Sequence, residues 1–219
     1  MSDAVRRLPV FPLGSVLLPG MILPLHVFEE RYRVLVADVL AADVAEFGVT
    51  LIERGSEVGG GDVRADVGCL ARVLEAAATD DGRWALVTVG TEPFAVEEWL
   101  PDDPYPCARI SSLEDLDLPP ADAADRLVVL AAALRRCAAL ATELGASGSV
   151  DVELSEDPWL ATFQAAVLAP IGALDRQRVL RTRSAVERLA LVEELVAEQS
   201  LLLDGRLRLG SPDDPGPLG

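Results

Sequence analysis

Leu8-Pro9-Val10-Phe11-Pro12-Leu13, followed by Leu18-Pro19-Gly20-Met21-Ile22-Leu23-Pro24-Leu25-His26-Val27-Phe28-Glu29-Glu30-Arg31-Tyr32, is the stretch whose reading decides the fold. It opens with two short apolar runs, Val10–Leu13 and Met21–Leu25, punctuated by proline and glycine. Proline cannot donate to a strand ladder, so prolines inside strands belong at edges or bulges. These runs therefore predict the irregular strands of a barrel, not a flat sheet. From Phe28 to about Leu40 the pattern changes, with apolar residues at Tyr32, Leu35, Val36, Val39 and Leu40. That spacing predicts a helix with one apolar stripe, leaving Glu29, Glu30, Arg33 and Asp38 outside it.

Strand texture returns after this helix. Phe47–Ile52, Val67–Leu74, Trp84–Val89, Phe94–Leu100 and Tyr105–Leu113 are strand candidates. Asp80-Asp81-Gly82-Arg83 is a hairpin signal, and Gly59-Gly60-Gly61 lies in a polar loop without a following helix or a lysine to cradle phosphate. Leu118-Pro119-Pro120 marks a change to helical spacing. Leu127, Leu130, Leu134, Cys137, Leu140 and Leu144 recur every three or four residues, with Gly145 at the expected C-terminal cap. Asp157-Pro158 opens a second helix, Asp175 caps a short third, and Ser184 with Glu187 forms a capping box for a fourth reaching about Leu203. The fold class is α+β. The expected division is a strand-rich domain over residues 8–116, a helical subdomain over 119–204 and a disordered tail over 205–219.

Composition removes many chemistries. The chain has 219 residues, 50% of them hydrophobic, and it contains no lysine or asparagine and a single histidine, His26. Without lysine there is no Schiff base, no Ser–Lys dyad and no Walker A loop. One histidine cannot build a multi-histidine metal site, and no Cys-x-x-Cys is present, so metal ligands and cofactors are not expected. Asp plus Glu total 36 against 19 basic residues, a formal charge of −17. Such a chain repels nucleic-acid backbones and anionic membranes. No apolar run approaches the roughly 18 residues of a membrane span. The N-terminus lacks a signal-peptide core, and Cys69, Cys107 and Cys137 read as buried free thiols, which suits the cytoplasm.

No catalytic set emerges. Gly145-Ala146-Ser147-Gly148-Ser149 departs from a nucleophile elbow at its fifth residue and follows a helix instead of a strand. His26 sits at a strand-to-helix junction, where it more simply satisfies local backbone groups. Glu29-Glu30, Glu97-Glu98, Asp102-Asp103 and Glu193-Glu194 read as solvated charge in an acidic chain. Arg176, Arg178, Arg181, Arg183 and Arg188 form the one basic segment. It predicts either an intramolecular contact with the acid-rich 75–103 stretch or a docking patch for an acidic partner, centred on Arg176, Arg178, Arg181 and Arg183.

The quoted N-terminal stretch resembles the substrate-binding domain of the Lon proteases. The resemblance continues through Phe47-Gly48-Val49, Val67-Gly68-Cys69, Asp81-Gly82-Arg83-Trp84, Val89-Gly90, Pro93-Phe94 and Pro104-Tyr105. In the helical part it includes Leu174-Asp175-Arg176-Gln177-Arg178-Val179-Leu180 and Glu187-Arg188-Leu189. It implies a PUA-like six-stranded β pseudo-barrel with a short helix, joined to a C-terminal α-helical bundle. It also implies a module that captures unfolded or tagged proteins, without the ATPase and protease modules of full-length Lon. On that resemblance, peptide-binding residues are expected among Met21, Pro24, His26, Phe28, Tyr32, Trp84 and Phe94, although Phe28, Tyr32 and Phe94 also read as core.

The leading expectation is thus a non-catalytic module binding unfolded or hydrophobic protein segments, working with a separate protease or ATPase. The alternative is a small-molecule sensor or cryptic enzyme with a pocket between barrel and bundle. RNA binding ranks third, because only Arg176–Arg188 offers a basic face against the acidic background.

Overall fold

The computed structural model describes residues 5–55, 63–146 and 151–209. The order of elements is β1 (Arg6–Leu13), β2 (Ile22–Val27), α1 (Glu30–Ala41), β3 (Glu46–Arg54), β4 (Val63–Ala78), β5 (Trp84–Leu100) and β6 (Cys107–Ser112). The helices α2 (Ala123–Glu143), α3 (Pro158–Leu168), α4 (Ala173–Arg181) and α5 (Ala185–Leu209) follow. One sheet runs β2-β5-β4-β3-β1-β6, and an additional β5–β6 pairing joins five of its strands in a ring. β2 lies outside that ring, paired to β5.

Proline placement follows from hydrogen-bond direction. β1 is antiparallel to β6 over Arg6–Pro9 and parallel to β3 over Val10–Leu13. The Val10 N–H donates to the Pro106 carbonyl at 2.8 Å, so it points towards β6. Successive strand N–H groups point to opposite edges, so Pro9 aims its nitrogen away from β6, before β3 pairing begins. Pro12 aims its nitrogen towards the β6 side, where that pairing has ended. Neither proline costs a ladder bond.

The two strands expected at Trp84–Val89 and Phe94–Leu100 are one 17-residue strand. β4 accompanies both halves of β5, while β2 and then β6 occupy its other edge. The exchange occurs around Gly90. Gly90 donates to the Met21 carbonyl and accepts from Gly20 N–H, both at 2.9 Å. A Cβ at Gly90 would stand 2.2 Å from the Leu18 carbonyl oxygen, so only glycine lets the Leu18–Met21 turn cross here.

Inside the ring, buried Phe94 packs with Leu8, Val10, Leu70, Ala108 and Ile110. A larger cluster starts at Phe11, whose ring stacks on Tyr32 of α1 at 4.1 Å. It continues through Phe47 and Leu35 into the helices at Cys137, Phe163, Leu189 and Val196. Tyr105 donates to Asp38 of α1 at 2.6 Å. Burial first, and the Asp38 carboxylate second, push the Tyr105 hydroxyl up to about 12. The three cysteines are free and buried, and burial raises the Cys69 thiol. Among the described residues, no helix is long and apolar enough to cross a membrane.

Local signals set the helix ends in part. Asp157 accepts from Trp159 N–H at 3.1 Å with Pro158 in the first turn of α3, as the sequence predicts. Gly145 follows α2 at φ +93°. Asp175 is not the cap of α4, because Gly172 holds that position and Asp175 pairs instead with Arg178 at 2.9 Å in the first turn. The helix α5 continues past Leu203 to Leu209, and the tail after it lies outside the described residues, as do Gly59–Gly61 and Ser147–Ser149.

The start of α5 is capped from a distance. Ser184 accepts from Glu187 N–H at 3.1 Å, and Asp117 accepts from both the Ser184 hydroxyl (2.6 Å) and Ala185 N–H (2.5 Å). The Ser184 hydrogen bond, with the Ala185 N–H adding to it, holds the Asp117 carboxyl below its ordinary range. A depressed carboxylate stabilises the fold above its unfolded pKa, and the contribution is lost as pH falls through the folded value. Asp117→Asn is therefore expected to leave less stability to lose between about pH 5 and the folded pKa. Acid titration of stability by circular dichroism checks this, and an unchanged acid limb argues against it.

Candidate functional site

β2 carries an alternation with consequences for binding. Leu25 and Val27 turn inward, whereas Ile22, Pro24 and His26 are exposed, and Phe28 just beyond the strand continues the outward row. Ile22 is 53% exposed and Phe28 57%, high values for such residues. Directly opposite on β5 stand Val89 beside Ile22, Val87 beside Pro24 and Ala85 beside His26. The next strand adds Arg72, Glu75 and Ala77 in the same rows, and Leu74, 53% exposed, emerges where the β4–β5 register shifts. The result is an outward apolar strip on an edge strand, roughly 20 Å long from Ile22 to Phe28 at strand rise.

The strip ends in a cleft of about 400 Å³ between the end of β2 and the β4–β5 hairpin. His26, Phe28, Trp84, Asp80 and Arg83 help to line it. The hairpin is tied from within. Thr79 and Arg83 join through a 2.9 Å backbone bond, Gly82 N–H donates to Thr79 at 2.9 Å, and Gly82 takes φ +76°. The Thr79 hydroxyl donates to Asp81 at 2.5 Å, and Arg83 pairs with Asp81 at 3.0 Å. The Thr79 bond, then the Arg83 backbone N–H, holds the Asp81 carboxyl below its ordinary range. From α1, Arg33 lies against the turn, close enough that a Cβ on Gly82 would stand 2.6 Å from its Nη2. Glu75 and Asp80 have no ion-pair partner among the described residues.

Of the expected peptide-binding residues, Pro24, His26 and Phe28 share the strip, Met21 borders its start and Trp84 borders the cleft, both half-buried. Tyr32 and Phe94 are buried, the first on the inner face of α1 against Phe11 and the second inside the ring, away from this surface. Ile22, Leu74, Val87 and Val89 belong to the strip and were not singled out by the sequence reading. The two-residue alternation of β2 marks Ile22; the other three depend on cross-strand pairing.

The arginine segment lies where the helices meet the sheet. Arg181 pairs with Glu53 (3.2 Å) and Asp66, and Arg183 donates to the Glu114 carbonyl at 3.1 Å. Arg176 donates to the Val167 carbonyl at 3.3 Å and burial lowers its guanidinium's pKa, while Arg178 pairs with Asp175. Arg188 forms a bidentate pair with Asp115 (2.7 and 2.5 Å). Between sheet and α3 a further cleft of about 480 Å³ includes Arg72, Glu92, Asp115 and Trp159. His26 is not among its lining residues, so the histidine and this cleft form no common site.

The family model described as the ATP-dependent protease La (LON) substrate-binding domain matches residues 7–198. The chain belongs to this family. It is 30% identical over 206 residues to the Lon protease of Anaeromyxobacter dehalogenans, matching 92% of this chain and 24% of that protein. The Lon protease 2 of Myxococcus xanthus is 28% identical, with 92% and 25% covered. The chain thus spans about a quarter of the length of these curated relatives. A Lon N-terminal domain protein from Xanthomonas campestris has a TM-score of 0.61 and 29% identity, with 88% of this chain and 98% of that chain covered. The N-terminal domain of a Mycobacterium avium complex Lon protease also reaches 0.61, at 15% identity with 88% and 99% covered, a likeness of fold alone. The resemblance read from the N-terminal stretch is therefore a family membership, and the six-stranded sheet with five helices is the Lon N-terminal domain fold.

Proposed function

We propose that the chain is a non-catalytic module that captures unfolded or apolar protein segments on the outward strip of β2 and in the cleft at its end. The observation that carries the reading is an exposed apolar row on an edge strand, in a chain of the Lon substrate-binding family. Peptides dock on such surfaces by burying alternate side chains along the strand. Peptide-bond cleavage and ATP hydrolysis are assigned, on this reading, to a separate protease or ATPase. The ring of strands is read as a PUA-like pseudo-barrel, α2–α5 as its helical bundle and the arginine segment as the join between them. Three buried thiols support a cytoplasmic setting.

The test is suppression of aggregation of a chemically denatured client. Phe28→Ser is expected to weaken capture by about fivefold or more, because an aromatic anchor contributes at least 1 kcal/mol. Its folding stability should change by no more than about 0.5 kcal/mol, as expected for an exposed position. If the wild-type chain leaves aggregation unaffected at micromolar concentration, the reading is lost. Equal capture by the Phe28→Ser protein moves the site away from β2.

A further inference from the structure

The apolar strip is not electrically neutral around its rim, and this decides what kind of segment it takes. Glu75 stands two strands from Pro24, with Val87 between them, a separation of about 10 Å at normal strand spacing. That is close to one Debye length, about 8 Å at physiological salt. At the Phe28 end, Asp80 lines the cleft and Glu30 begins α1. Arg31 and Glu29 pair at 3.2 Å and cancel here, and two further cations lie near this end. Arg83 is joined to Asp81, and Arg33 is folded against the turn at Gly82. Glu30, Glu75, Asp80 and Asp81 against Arg33 and Arg83 leave the hairpin end negative, and the chain as a whole carries −17. The basic Arg72 stands beyond Val89, towards the Ile22 end.

Resting on the capture reading, we propose that the preferred occupant is an extended apolar segment of another protein with adjoining lysine or arginine residues, its basic end over the β4–β5 hairpin. About six residues span the strip at strand rise. Alternate apolar side chains contact Ile22, Pro24 and Phe28, and the flanking cations meet Glu75 and Asp80. A second copy of this chain is a poor occupant, since it would bring the same carboxylates against their equals. The negative field of the whole chain also attracts basic segments before contact and repels acidic ones. This selects, among unfolded clients, those with apolar stretches beside positive charge.

The test uses the full chain and three labelled peptides sharing one apolar core, flanked by arginine, by serine or by glutamate. Binding by fluorescence anisotropy is expected to be about fivefold tighter for the arginine peptide than for the serine peptide, the scale of two exposed ion pairs. Glutamate flanks should weaken it further, and raising the salt should narrow the spread. In the Glu75→Gln/Asp80→Asn protein the ratio of arginine-peptide to serine-peptide affinity should fall. Both positions are exposed and leave the fold intact, which an unchanged Tm verifies. If the three peptides bind equally, or the double variant keeps the preference, charge selection is overturned while capture stands. If none binds and denatured clients also remain free, capture fails and the selection falls with it.

Discussion

Arg188→Ala is expected to destabilise the protein by about 3–5 kcal/mol, the cost of leaving one member of a buried pair alone. Arg188 is 2% exposed. Its guanidinium grips Asp115 through two bonds, donates to the Thr182 carbonyl at 3.0 Å and lies 4.5 Å over the Phe163 ring. Asp115 belongs to the segment between β6 and α2, so this contact joins that segment to the start of α5 and to α3. Neighbouring bonds reinforce it, with Leu116 N–H donating to Arg183 and Gln177 Nε2 donating to Val67, at 2.9 and 3.0 Å. Truncation removes the packing on Phe163 and strands the Asp115 carboxylate, whose side chain is only 17% exposed. The loss corresponds to a Tm decrease of roughly 6–20 °C for a domain of this size. The pair itself is a weaker asset than that number implies, because desolvation opposes it. Arg188→Met/Asp115→Leu should therefore recover a large part of the loss. Urea unfolding of the two proteins measures both effects, and a single-variant loss below about 1 kcal/mol contradicts the buried-pair account.

The second large effect concerns space inside the ring. A Cβ on Gly68 would stand 2.4 Å from the Val49 carbonyl oxygen and 2.5 Å from Cζ of Phe94. Gly68→Ala is expected to cost about 3 kcal/mol, at the upper end of overpacking penalties, since one of the atoms met is backbone in a paired strand. Gly90→Ala meets the Leu18 carbonyl and should behave similarly. Gly48→Ala differs in kind. Its nearest contacts are side-chain atoms, Phe94 Cζ at 2.7 Å and Leu8 Cδ2 at 3.0 Å. Phe94→Leu should therefore rescue Gly48→Ala and leave most of the Gly68→Ala penalty in place. A double-mutant cycle on each pair reads the difference. Equal rescue at both positions would show that the sheet backbone yields more readily than this packing implies.

Much of the fold is legible locally. Pro24 announces the β2 edge, whereas β1 is paired on both sides and its prolines fall where neither ladder uses their nitrogen. Asp157-Pro158 announces α3, and the spacing of Leu127, Leu130 and Leu134 announces α2. The N-terminal stretch carries the family signature confirmed over residues 7–198. The two errors differ in origin. Asp175 reads as a cap in isolation, but the cap is Gly172, three residues earlier. The split of β5 into two strands fails because pairing with β4 continues across Gly90. The β4 partner of β5 is invisible from the local pattern, and the Asp175 pairing with Arg178 only shows once the helix start at Gly172 is known.

The proposed capture surface shows the same division. The sequence by itself determined the secondary-structure periods, the family, and the exclusion of every lysine-dependent chemistry. It offered Phe28, Tyr32 and Phe94 as aromatic residues of equal standing. Only the tertiary structure separated them, since Tyr32 stacks on Phe11, Phe94 fills the room above Gly48 and Gly68, and Phe28 meets solvent. Burial depends on what packs across from a residue, and that neighbour is supplied by strands and helices distant in the chain. Phe28 is the apolar side chain left without such a neighbour.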